Sequence, residues 1–140
     1  MAITTNAICN SFKKELLQGS HDFDASTDTY KLAMYKSTAT LGASTENYSP
    51  NLGGTGTEVT SSGYTAGGSA LVNQGVKVSS AIAITDFADL SFTGVTLTAR
   101  GALIYNTTTN GGSGTTDAVC VLDFGGDKTC LLYTSPSPRD

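Results

Sequence analysis

His21 is the only histidine in the 140 residues, so any imidazole chemistry must be built around this one ring. A metal centre would need cysteine or carboxylate partners for it, and a serine triad would need a turn that lifts a serine toward it. No Gly-x-Ser-x-Gly elbow is present to do so. The ring sits in a polar stretch where a solvated side chain is expected. Directly after it, Asp22, Asp24, Ser26 and Asp28 place oxygen ligands at alternate positions, the way a calcium loop begins. The pattern then fails, because Thr27 stands where the sharp-turn glycine belongs and Ala33 where the closing bidentate glutamate belongs. A solvated turn is the expectation.

The remaining candidates are weaker. Gly53, Gly54 and Gly56 lack the third glycine of a dinucleotide fingerprint, which would fall at Val59, and no Gly-Lys-Ser/Thr run exists for a phosphate loop. Asp86 and Asp89 flank Phe87 at the end of an alternating segment and read as solvated edge charges. Cys9, Cys120 and Cys130 have neither the even count of a disulfide framework nor zinc-finger spacing. Cys9 and Cys120 are expected to be reduced and buried as small core residues. Asn47-Tyr48-Ser49 and Asn106-Thr107-Thr108 match a glycosylation pattern but read as polar loops. With no convergent polar constellation, the expectation is a chain that is not an enzyme, with no catalytic residue, cofactor or metal.

The chain is one modest domain in size, with only 14% charged residues, 16 glycines and much Ser and Thr, a balance that favours strands and turns. Its net charge of -4, with the 8 Lys and Arg scattered, gives no footprint for nucleic acid. No stretch approaches the roughly 20 apolar residues of a membrane-spanning helix, and no secretory h-region opens the chain. A soluble protein made in the cytoplasm, with no nucleic-acid or membrane partner, is expected.

The elements that must position these side chains are mainly strands. One amphipathic helix is predicted over Asn6 to Gln18, with Ile8, Cys9, Phe12 and Leu16 on one stripe, Thr4, Thr5 or Asn6 as cap, and Gly19 just past the end. Alternation predicts strands at Thr29 to Tyr35, Ala70 to Ser79, Ala81 to Phe87, Leu90 to Leu97, Ala99 to Tyr105 and Ala118 to Phe124. The Ala118 strand is apolar on both faces and so is expected to be central. Ser37 to Gly68 reads as a long ordered loop anchored by Val59 and Tyr64, and loops of that length are usually functional. Asn110-Gly111-Gly112 offers the positive φ of a hairpin turn. The fold class is therefore mainly β: a single antiparallel β-sandwich or half-open barrel with one N-terminal α-helix.

From Cys130 the text changes character, and Cys130 to Asp140 resembles the in-frame translation of a transposase adapter used in short-read library preparation. The expectation is a β-rich domain over residues 1–129, cut short before one or more further strands, followed by a non-native tail over 130–140. An unpaired edge or face, with poor solubility or non-native association, would follow.

Three stretches together resemble a family of small virion structural proteins of tailed phages: Ser11-Phe12-Lys13-Lys14-Glu15-Leu16-Leu17-Gln18-Gly19, Gly63-Tyr64-Thr65-Ala66-Gly67-Gly68, and Ala99-Arg100-Gly101-Ala102-Leu103-Ile104-Tyr105-Asn106. The resemblance implies a head decoration, cement or minor head or tail protein, located in the virion and partnered by capsid or tail subunits or by copies of itself. Tyr48, Tyr64 and Tyr105 are the candidate assembly contacts, because tyrosine buries a large ring while keeping a polar tip, and ordinary half-buried packing is the other reading for each. A bacterial surface or adhesive β module is the alternative that the Ser, Thr and Gly richness suggests.

Overall fold

The computed structural model describes residues 3–24, 28–108 and 115–130. The chain is mainly β, as expected, with a single helix among the described residues. In order, β1 is Ala7–Ile8, α1 Asn10–Leu17, β2 Tyr30–Tyr35, β3 Ser69–Ala70, β4 Asn73–Ser79, β5 Ile82–Phe87, β6 Leu97–Asn106 and β7 Asp117–Cys130. Five strands form one antiparallel sheet in the order β1-β7-β6-β2-β3, and β4 and β5 pair only with each other.

The helix is shorter than its apolar stripe suggests. Ala7 and Ile8 pair with Val121 and Cys120 of β7, so the chain is extended up to Cys9 and turns helical only after it. A sheet edge that needs covering has outcompeted one helical turn, which gains little in isolation. The helix end matches expectation: Gly19 has φ +78, its N–H reaches the Leu16 carbonyl, and the Ser20 N–H reaches that of Glu15. These two bonds are the pair by which a left-handed residue closes a helix.

β6 lies in the centre of the sheet, and β2 pairs with it in register from Tyr30↔Asn106 to Tyr35↔Gly101. At Gly101 a Cβ would stand 2.7 Å from the Leu122 carbonyl oxygen and 2.9 Å from Ile3 Cδ1, so only glycine lets the N-terminal segment lie on β6. Tyr30, Tyr35, Leu103 and Val121 fill the main core with Ile3, Cys9 and Phe12, while Met34, Val59, Tyr64, Val95 and Leu97 form a second cluster. Burial pushes the Cys9 thiol up to about 12 and the half-buried Cys120 thiol up to about 11, which suits inert core cysteines.

Two expectations are corrected. Leu90 to Leu97 is no strand: residues 88–96 are irregular and β6 starts at Leu97. Gly94 takes φ +68 there, turning the chain so that Phe92 and Val95 reach the second cluster, a packing gain that overrides strand propensity. The Ala118 strand is longer than predicted and central only in part. From Asp117 to Asp123 its outer side is met by Glu46, Asn47, Asn6 and β1. Beyond Asp123, among the described residues, no strand covers it. The turn at Asn110-Gly111-Gly112 and the tail after Cys130 lie outside the described residues.

Candidate interaction surface

The tyrosines singled out as contacts are drawn inward and converge on one carboxylate. Glu58 is 2% exposed, and its Oε1 accepts the Tyr48 hydroxyl at 2.5 Å while Oε2 accepts the Tyr64 hydroxyl and the Gly67 N–H, both at 2.7 Å. Tyr64 also accepts the Met34 N–H at 2.8 Å, and Tyr105 donates to the Gly67 carbonyl at 2.6 Å. The rings of Tyr48 and Tyr105 stack with centroids 4.6 Å apart. A buried carboxylate is costly unless its lone pairs are filled, and here three donors fill them. Tyr64 and Tyr105 are therefore corrected from surface contacts to buried parts of a knot, with Tyr48 half-buried on its rim. Burial, with the Glu58 charge as the next cause, holds the Tyr105 hydroxyl up to about 12, and the Tyr48 and Tyr64 hydroxyls are held higher still.

The knot explains why the 37–68 segment is ordered without strands. At Gly68, φ is +87 and a Cβ would fall 1.9 Å from the Leu32 carbonyl oxygen, so the loop lies directly on β2. Glu58 was missed because a lone glutamate in a Ser/Thr/Gly-rich run carries no periodic signal. Its one sequence cue is its placement among tyrosines.

His21 is also corrected. Its side chain is fully buried: Nε2 donates to Glu15 Oε1 at 2.9 Å, while Nδ1 accepts from Asn106 Nδ2 at 3.0 Å. Asn106 Nδ2 bonds Asp28 Oδ2 as well, at 2.8 Å, and that same oxygen accepts the Asp22 N–H. The network ties α1, the following turn, β2 and β6 into one unit, with the Phe12 ring packed on the imidazole. Buried on all sides, the imidazole offers no substrate a route to either nitrogen. Ser26 and Thr27 of the calcium-like pattern lie outside the described residues. Asp22 Oδ1 caps the Asp24 N–H, and Asp28 is spent on the network.

What faces solvent is different in kind. The exposed large aliphatic side chains among the described residues all lie in two segments: Ile8, Leu16 and Leu17, and Val72, Val76, Val78 and Ile82. The second set belongs to the β4–β5 hairpin, an arm that joins the body at its base, where Phe87 packs against Phe23 and Tyr30. Between arm and body runs a slot of about 350 Å³, walled by Val76, Ala83 and Phe87 on one side and by Ile8, Phe12 and Leu16 on the other. Antiparallel register puts Val76, Val78, Ala83 and Thr85 on one face of the arm and Lys77, Ser79, Ile82, Ile84 and Asp86 on the other, and Ile84 also reaches the rim of the slot. The two-residue turn, Ser80-Ala81, holds φ of 48 and 69 without a glycine. That turn is strained by side chains that disfavour it.

The open stretch of β7 is, by contrast, blunted. Phe124 to Asp127 bulge opposite Arg100, Gly125 takes φ +81, and Asp127 and Lys128 add charge. Arg100 pairs with Asp123 at the neck of the bulge and holds that carboxyl below its ordinary range. The exposed large aliphatic side chains among the described residues thus lie on the arm and on the β1–α1 segment facing it, while the β7 end borders only a shallow recess with Phe92, Val95 and Phe124. No family model matches the chain, and no curated protein or solved structure shows significant similarity to it.

Proposed function

We propose that this chain is a non-enzymatic structural component of a tailed-phage virion, a head decoration, cement or minor head or tail protein that works by protein–protein assembly. The observation that carries the assembly part is the arm and its slot: apolar side chains on both faces of a projecting hairpin, beside a body whose buried Glu58, His21 and Asn106 bond to groups of the same chain. Contiguous exposed apolar surface marks interaction sites. The virion part rests on the resemblance, whose residues have physical work to do here: Tyr64, Gly67 and Gly68 build the Glu58 knot, and Gly101, Tyr105 and Asn106 fix β6 to its neighbours. The test is peptide mass spectrometry on washed, density-purified particles of the phage that encodes the chain. Stoichiometric recovery with the particles is expected. Recovery only from the lysate would overturn the proposal.

A further inference from the structure

We infer that the free edge of β5 is a self-association site, pairing antiparallel with β5 of a second copy to give a four-stranded sheet. A two-stranded hairpin is marginal in water, and this one carries a strained turn and solvent-exposed aliphatics on both faces. It calls for added strands. Of its two edges, β4 is blunted by the irregularity at Gly75, with φ +87, between Asn73 and Val76, and by Lys77. β5 reads Ile-Ala-Ile-Thr-Asp-Phe in unbroken register, with no bulge or proline, and its one charge, Asp86, lies at the base end, leaving Ile82 to Thr85 uncharged. The pair closing a two-residue hairpin, Ser79↔Ile82, is a hydrogen-bonded one, so alternation turns the N–H and C=O of Ala83 and Thr85 outward.

Charge selects a second copy as the occupant. The chain carries -4 overall, yet Asn73 to Phe87 holds one Lys and one Asp, so two arms meet without net repulsion and a strongly charged partner finds no complement. Antiparallel pairing brings Ile82 and Ile84 of one copy against those of the other on a single face. At roughly 60–100 Å² per aliphatic side chain, the four isoleucines supply about 240–400 Å², and with the strand backbones the contact removes several hundred Å², the size of a weak, reversible contact between copies. With one usable edge per copy the contact closes at a dimer. This goes beyond the assembly reading, since a virion protein with only foreign partners would have no need of it.

Sedimentation velocity of the full 140-residue chain, in reductant from about 1 to 300 µM, tests it. A reversible dimer is expected, with dissociation on the order of 10–100 µM for so small an interface. Thr85→Pro, which removes an outward N–H, and Ile84→Lys should each weaken it at least about tenfold. Leu16→Lys, on the slot wall, should leave it intact. Circular dichroism and the melt verify that each variant is folded, and Ile84→Lys decides if the proline variant is not. A wild-type monomer throughout overturns the inference, as does a dimer that survives Ile84→Lys or is lost with Leu16→Lys. Recovery from washed particles bears on the assembly reading alone, so the two can fail separately.

Discussion

The loop around Glu58 and the β4–β5 arm invert the usual association of regular structure with rigidity. The loop is almost without strands, yet its carboxylate, hydroxyls and backbone amides are matched within 2.5–2.8 Å and it lies hard against β2. The arm has regular pairing, yet its tip carries Val78 at 73% and Ile82 at 63% exposure. Backbone hydrogen bonds alone do not anchor an element; burial and satisfied polar groups do. The loop belongs to the fold, and the arm is available to a partner.

The comparison breaks most severely at Gly68. Gly68→Ala combines a positive φ with a backbone collision and should cost at least about 4 kcal/mol, read as loss of the cooperative urea transition or a large drop in its midpoint. Glu58→Ala should cost about 3 kcal/mol, because it strands the buried Tyr64 hydroxyl and Gly67 N–H and the half-buried Tyr48 hydroxyl. A cost within about 0.5 kcal/mol would mean that the knot is decorative.

Alkaline pH attacks the same region. A tyrosine whose folded pKa is raised binds its proton more tightly folded than unfolded. Its stabilisation is therefore complete below about 10 and is lost as pH climbs toward the folded value. For Tyr105, held up to about 12, the loss between pH 10 and 12 is on the order of 2–3 kcal/mol. Tyrosinate absorbance near 295 nm should therefore rise together with unfolding rather than before it. The smallest effect is on the arm: Ala81→Gly relieves the turn at φ 69 and should raise stability by about 0.5–1 kcal/mol, measured as a shift in melting temperature.

Most of the strands and Gly19 as helix terminator were legible because alternation and turn chemistry are local signals. The first helical turn was not, since Ala7 and Ile8 answer to β7 more than a hundred residues away. Nor was the burial of His21 and Tyr105. Polar side chains read as exposed until a partner at long range is known, and the partners of His21, Glu15 and Asn106, are 6 and 85 positions distant. The candidate surface was misplaced for the same reason. Large amphipathic rings suggested contact residues, while the aliphatics of β4 and β5 passed as ordinary strand cores, because nothing local shows that a hairpin has no sheet to join.

Hydrogen exchange read by mass spectrometry at two protein concentrations sets arm against loop directly. Peptides spanning 58–68 should exchange slowly at both, whereas peptides spanning 82–87 should exchange at least about tenfold faster when dilute and slow markedly at high concentration. Equal, concentration-independent protection of the two segments would contradict the claim that the arm is a docking element awaiting its partner.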